Sequence, residues 1–310
     1  MRFRVQIALS LVALAACVLA VGFSAASFSD STQNPQTVSA IADWTAPSAE
    51  ASVIAPTSGG TPGYLKSAKP TYYVYARVSD SGAPASGIAS VKANVNNLTS
   101  GQTAVTLTAG SYTVGGVSYN YRSASLTAGT LTAGSKSYSL ALADKAENAS
   151  SAEFSVTVLT AYAASSFATA NVSGGNEGKP EKGDTATFTY SSAPLPSAIV
   201  SGWSGAAPVS VTATITQSSN NDRLEISGAN LGSVELTGNY VSKTVSFTSS
   251  SLTLEGSSIV LTLGTPSSSS NIEDENATRA PIWKPSSSAK DLAENACSTA
   301  SVTAAGARQF

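Results

Sequence analysis

Residues 138–158 read Y-S-L-A-L-A-D-K-A-E-N-A-S-S-A-E-F-S-V-T-V, and this stretch decides the fold class of the chain. Apolar residues take every second position before and after the phrase D-K-A-E-N-A at 144–149. Alternation with a period of two is the pattern of a half-buried β-strand, and Asp and Asn favour turns because they bond to nearby backbone groups. The stretch therefore predicts two strands joined by a turn.

The same phrase recurs as D-L-A-E-N-A at 291–296, which predicts two modules that each close on it. Alternating segments and turn clusters between residues 71 and 158 give about seven strands in a module of about 115 residues (47–160), the count and spacing of an immunoglobulin-like sandwich. Val114-Gly115-Gly116-Val117 adds a hairpin signal. We predict an all-β chain with two tandem immunoglobulin-like β-sandwiches, at 47–160 and 161–310.

Composition excludes several classes of function. The chain has 310 residues, a net charge of −2 and no histidine. Because no basic patch stands out, nucleic acid is not an expected partner. Without histidine, a Ser-His-Asp mechanism and imidazole ligation of zinc are both impossible. Its two cysteines are Cys17 and Cys297. We expect Cys297 to be buried, since free cysteine is among the most buried residue types; the alternative is a thiol free to pair with another chain.

The N-terminal segment has the features of an export signal. Residues 1–4 form a short basic region with Arg2 and Arg4, residues 5–23 are almost entirely apolar, and small residues precede a cleavage site after Ala26. Left uncut, the apolar run is long enough to form a membrane helix. A third alternative is lipidation of Cys17, which follows a lipobox-like Leu-Ala-Ala. Residues 27–46 are predicted to be a linker.

Three short motifs carry a resemblance to known families. The S-F-S-D-S run at 27–31 resembles the leader junction of camelysin and biofilm-fibre precursors. D-W-T-A-P at 43–47 resembles the D-x-T-A-P opener of many bacterial immunoglobulin-like domains, and K-G-D-T-A-T-F-T-Y at 182–190 resembles the opening of a second such type, found in S-layer and other surface proteins. The resemblance implies an exported bacterial, actinobacterial-type surface protein with tandem immunoglobulin-like domains.

The D-x-A-E-N-A phrases also depart from that resemblance and supply the candidate site. Related copies read D-x-A-G-N, so Glu147 and Glu294 stand where glycine would take a left-handed turn freely, which puts the turn geometry in question. Oxygen-bearing side chains in a turn are potential calcium ligands. The alternative is a structural corner in which Asp and Asn cap their own backbone. The calcium candidates are Asp144, Glu147 and Asn148 in the first turn, and Asp291, Glu294 and Asn295 in the second.

Aromatic residues give one candidate for ligand binding. Trp203 lies in a Gly-Ser-rich stretch and is predicted to be an exposed anchor, whereas Trp44 and Trp283 are predicted to pack in a core or between modules.

We predict a non-enzymatic, adhesin-like structural or interaction protein with no cofactor other than a possible calcium ion. It would be extracellular or at the cell surface, or membrane-anchored through its N-terminal segment alone. Its partners would be cell-envelope or surface proteins or glycans, or further copies of itself. The alternative is an extracellular carbohydrate- or small-ligand-binding protein that uses loops of the second module.

Overall fold

The computed structural model describes residues 43–310, and within that range the regular secondary structure is almost entirely β-strand. The all-β class predicted from the alternating patterns is confirmed. The predicted leader of residues 1–26, with cleavage after Ala26 or lipidation of Cys17, and the linker up to residue 42 lie outside the described residues. Among the described helices, none combines the length and the apolar content needed to span a membrane.

Nine strands make up the first half of the described chain and belong to one sheet. Their order is β1-β3-β6-β5-β4-β8-β9-β2, with β7 paired to β3. The bounds are β1 (Ser48–Pro56), β2 (Tyr64–Lys66), β3 (Thr71–Ser79), β4 (Ile88–Asn94), β5 (Val105–Val114), β6 (Val117–Ser123), β7 (Leu126–Thr127), β8 (Gly134–Asp144) and β9 (Ala149–Leu159).

Both hairpins predicted in this half are confirmed. Strands β8 and β9 pair antiparallel along almost their whole length, so the phrase at 144–149 is the turn that joins them. Val114 lies opposite Val117, and between them Gly115 and Gly116 have φ values of +58° and +78°. A two-residue loop of this kind needs positive φ at both central positions, which glycine adopts without a Cβ clash.

The first core is enclosed by the folded path of these strands. It includes Ile54 of β1, Tyr72 of β3, Leu140 of β8 and Val156 of β9, all essentially inaccessible to solvent. Because these side chains come from strands far apart in the sheet order, the sheet must fold over on itself to bring them together. The alternating residues that predicted the strands are therefore the ones that build the core.

Eleven strands of the described chain make up the second half, in the order β19-β10-β11-β16-β15-β12-β13-β14-β18-β20, with β17 paired to β15. A short helix α1 (Pro196–Ile199) and a 3-10 turn (Ser269–Asn271) interrupt them. The strand bounds are β10 (Tyr162–Ala170), β11 (Thr185–Tyr190), β12 (Val209–Thr216), β13 (Arg223–Ser227), β14 (Ser233–Glu235), β15 (Val245–Glu255), β16 (Ser258–Thr262), β17 (Thr265–Pro266), β18 (Ile282–Lys284), β19 (Cys297–Ser298) and β20 (Val302–Thr303).

A cluster of aromatic rings anchors the second core. The Trp283 ring lies edge-on to Phe188 and Tyr190, with centroids 5.2 and 5.0 Å apart. Its indole N–H donates to the carbonyl oxygen of Leu231 (2.7 Å), so the buried polar atom is satisfied. Truncating a buried aromatic residue of this kind typically costs about 3–5 kcal/mol. The two cores share no residue, and the chain passes from one to the other at residues 159–161.

Candidate metal centre

The two D-x-A-E-N-A turns have the same hydrogen-bond geometry. In the first, Asp144 Oδ1 accepts the backbone N–H of Asn148 and Asp144 Oδ2 accepts Asn148 Nδ2, both at 2.8 Å. Asp291 and Asn295 repeat both bonds at 2.8 Å. Each aspartate thus stabilises its own turn through bonds to the asparagine four residues later, which is the structural role expected of Asp and Asn in turns.

Glutamate takes the left-handed position in both turns. Glu147 has φ +69° and Glu294 has φ +64°, so both glutamates adopt the left-handed conformation that glycine adopts most readily. A residue with a Cβ is strained in this region, at a cost of roughly 1–2 kcal/mol. The left-handed turn therefore forms in both copies despite the Cβ of the glutamate, and each copy carries this backbone strain.

Three carboxylates meet at one end of the first half. Oxygen atoms of Asp43, Asp80 and Asp144 all lie within 4.8 Å of one another. Asp43 precedes β1, Asp80 follows β3, and Asp144 ends β8, so the fold brings together three segments that are distant in sequence. Asp43 and Asp144 are buried and Asp80 is half-buried. We call this group the Asp triad.

Backbone amides bond to all three carboxylates, and Asp144 accepts its bond from Asn148 within its own turn. Asp43 Oδ1 accepts the N–H of Thr45 (2.9 Å), Asp43 Oδ2 accepts that of Ser86 (2.7 Å), and Asp80 Oδ2 accepts that of Gly87 (2.6 Å). The two amides hold the pKa of Asp43 below its usual range, because they stabilise the charged form. The group is therefore held as a carboxylate.

Close packing restricts the loop that carries this arrangement. A Cβ at Gly82 would overlap the carboxylate of Asp43. Asn148 connects the turn to the same segment, because its Nδ2 donates to the Asp43 carbonyl oxygen (3.1 Å) as well as to Asp144. The position of Asp43 in the triad thus depends on the absence of a side chain at Gly82 and on the bond from Asn148 in the first turn.

The electrostatics of the triad favour a cation. Among the described residues, no lysine or arginine forms an ion pair with any of the three acids. At a separation of 4.8 Å, two carboxylates repel by on the order of 3 kcal/mol at an effective dielectric constant of about 20. A divalent ion would replace three such repulsions by attractions. Carboxylate oxygens are the preferred ligands of calcium, which also accepts backbone carbonyl oxygens and water.

The calcium prediction from the sequence is only partly matched by this arrangement. Asp144 belongs to the triad, and Asn148 supports it as a hydrogen-bond donor. Glu147 is exposed and lies outside the triad. In the second turn, Asp291, Glu294 and Asn295 join no group of three acids within the described range. Sequence reasoning missed Asp43 and Asp80, although the D-x-T-A-P motif and an Asp-Ser-Gly turn marked both positions.

The predictions for two tryptophans are wrong, and they are wrong in opposite directions. Trp203 is only 7% exposed and its indole N–H donates to the carbonyl oxygen of Ala207 (2.8 Å), so no open ring face is left for a sugar. Trp44 is 83% exposed, since it follows Asp43 on the outside of the first half. Trp283 is fully buried as predicted. Cys297 is also buried, which confirms the expectation for it.

Comparison with known proteins gives no family for the chain. Neither a family profile nor a curated protein matches it.

Proposed function

We propose that the chain is an exported, non-enzymatic structural or interaction protein of the cell surface, built of two immunoglobulin-like modules, 47–160 and 161–310, and stabilised by calcium at the Asp triad. The observation that carries this proposal is the meeting of Asp43, Asp80 and Asp144. An ion bound to one residue on each of three segments would cross-link them, so it would hold the residues before β1 against the ends of β3 and β8.

The strand arrangement supports the immunoglobulin-like assignment. Each half has its own core enclosed by mainly antiparallel strands. In each half a D-x-A-E-N-A turn leads into one of the later strands, β9 in the first and β19 in the second. A separate core and a repeated corner are what two copies of one sandwich architecture would produce.

Calcium fits the proposed compartment. Extracellular modules bind calcium with dissociation constants of about 10⁻⁴–10⁻³ M, and affinity rises with the number of charged ligands. The triad offers three carboxylates. A site of that strength would be filled outside a cell at millimolar calcium.

A second aromatic cluster in the first half is partly accessible and supports a role in interaction, since Tyr75 and Tyr119 are buried but Tyr73, Tyr112 and Arg122 are half-buried. The Tyr75 ring lies within 5.8 Å of Tyr112 and 5.9 Å of Tyr119. The Arg122 guanidinium covers Tyr73 and Tyr112 at 4.6 and 4.5 Å from the ring centroids. These rings form a cluster separate from the main core. Tyr and Arg are among the residue types enriched in protein-binding hot spots.

The direct test is a calcium titration of the exported protein, with thermal unfolding as the measurement. At a calcium concentration of 100 times the dissociation constant, binding stabilises by about 2.7 kcal/mol, which corresponds to a rise in Tm of roughly 11 °C for a module of this size. Asp80→Asn should abolish the rise. It should also raise the Tm in EDTA, because one repelling charge is removed.

Glu147→Gln is the matched control, since it removes an acid from the same end of the module without touching the triad. It should keep the full calcium response. A wild-type Tm that is equal in calcium and EDTA would refute the calcium part of the proposal. Detection of the protein only inside the cell would refute the surface location.

A second candidate function is supported by a groove in the second half. A cavity of about 580 Å³ is lined mainly by polar groups, among them Ser227, Asn230, Ser233 and Ser286. Hydroxyl and amide groups are suited to sugar hydroxyls. Binding to a glycan array that is lost on Ser227→Trp, with the fold intact, would favour this ligand-binding alternative.

A further inference from the structure

Each half of the chain carries a second repeated element, a glycine-rich loop after its first strand. The first loop is T-S-G-G-T-P-G at 57–63 and the second loop is V-S-G-G-N-E-G at 172–178. Their conformations differ at the second glycine, since Gly60 has φ +74° whereas Gly175 has no positive φ, but they agree in the turn that closes each loop. Gly63 and Gly178 both have φ +88°, and the turn they close has N–H to O distances of 3.1 Å in the first loop and 3.2 Å in the second.

Inside the chain, the first loop binds the second D-x-A-E-N-A turn. The backbone N–H of Thr61 donates to the carbonyl oxygen of Leu292 (2.9 Å). The carboxylate of Glu294 packs so tightly on Gly59 that a Cβ there would overlap it. The contact also borders a cavity of about 230 Å³. We call this contact the internal joint.

The other turn and the other loop remain exposed. In the first turn, Lys145 and Glu147 are exposed, whereas their counterparts Leu292 and Glu294 are part of the internal joint. In the second loop, the residues from Val172 to Gly174 are exposed. Two of the three large hydrophobic side chains exposed in the described range flank these elements: Val172 lies in the second loop, and Trp44 follows Asp43, which accepts a bond from the first turn.

We propose that the second loop of one copy binds the first turn of another, repeating the internal joint between chains. The inference rests on the proposed function, because it names the partner of a structural surface protein as a second copy of the chain. The two contacting surfaces differ, so the contact is head-to-tail and can extend into a filament. Trp44 and Val172 would then be brought to the same interface and lose their exposure.

When two copies meet, the backbone N–H of Asn176 must give up one hydrogen bond within its own chain to form one with the partner. The N–H of Asn176, the counterpart of Thr61, donates to Glu181 Oε2 (3.0 Å), and Asn176 Nδ2 donates to Oε1 of the same carboxylate (3.0 Å). In the proposed contact this N–H turns to the carbonyl oxygen of Lys145. Glu181 therefore competes with the partner, and removing its carboxylate should strengthen the assembly.

Cysteine trapping in the full exported chain tests the contact. Residues joined by a backbone hydrogen bond have Cα atoms about 5–6 Å apart, within the range of a disulfide. Thr61→Cys with Leu292→Cys should therefore form a bridge within one chain, as the positive control. Lys145→Cys with Asn176→Cys should form a ladder of dimers, trimers and higher species on non-reducing gels. Adding Glu181→Ala should increase the ladder at least two-fold.

The outcomes separate this proposal from the one on which it rests. A double variant that stays monomeric, or stops at dimers, would overturn the head-to-tail contact. So would protection of a lone Lys145→Cys from maleimide in the dilute monomer, because the segment before Asp43 would then cover the first turn. In either case, an internal bridge and a normal calcium response would leave the proposed function standing. A ladder of cross-linked species without any calcium response would support the head-to-tail contact and refute calcium binding at the Asp triad.

Discussion

Glycine at position 147 should make the protein more stable. Glu147 has φ +69° and an exposed side chain. Its left-handed backbone costs roughly 1–2 kcal/mol relative to glycine, whereas glycine loses about 0.4–1 kcal/mol more through the entropy of the unfolded chain. The difference predicts that Glu147→Gly raises the free energy of unfolding by about 0.5–1 kcal/mol.

Urea unfolding in EDTA is the suitable assay, because calcium binding would add its own contribution. With an m-value of about 2 kcal/mol per molar urea, the midpoint of the first module should rise by about 0.3–0.5 M and the m-value should not change. Glu147→Ala is the matched control, since it removes the same charge and keeps the Cβ. The reasoning would be refuted if the Ala variant gained as much as the Gly variant, or if the Gly variant were less stable.

Three further predictions follow from burial and packing. Acrylamide should quench one component of the tryptophan fluorescence, and Trp44→Phe should remove that component, because the other two indoles are buried. Burial raises the pKa of Asp184 in the folded protein. Its contribution to stability is therefore complete below the pKa of an unfolded aspartate, about 3.9, and is lost as pH rises through the pKa of the folded state. Asp184→Asn should flatten the dependence of the urea midpoint on pH in this window. Gly264→Ala should destabilise by about 1–3 kcal/mol, because its Cβ would overlap the backbone at Thr248, whereas Gly129→Ala has open space and should be nearly neutral in a urea melt.

Local patterns predicted local structure well. The hairpin over residues 138–158 follows from alternation and a turn phrase within one short stretch, so its information is contained in neighbouring residues. The same holds for Val114–Val117, where two glycines define the turn. The closed corner at each D-x-A-E-N-A phrase could also be predicted, because Asp and Asn bond to backbone within four residues.

The candidate metal site could be predicted only in part, since its members come together through tertiary structure. Asp144 was a candidate, but its neighbours Asp43 and Asp80 lie about 100 and 64 positions earlier in the numbering. Their proximity depends on how β1, β3 and β8 are placed, which no local pattern specifies. The tryptophans failed for a related reason: a Gly-Ser-rich context around Trp203 predicts a loop, but it does not tell whether the ring points inward.

The topology of the second half has a consequence for the order in which the protein can fold during synthesis. Strand β10 begins at Tyr162, yet its parallel partner begins at Cys297, and Thr169 bonds to Gln309, 140 residues later. All strand pairs of β1–β9 lie within residues 48–159. The first half can therefore complete its sheet early, while the first strand of the second half waits until residues 297–309 have left the ribosome. During that interval β10 has one open edge, which exposes it to mispairing.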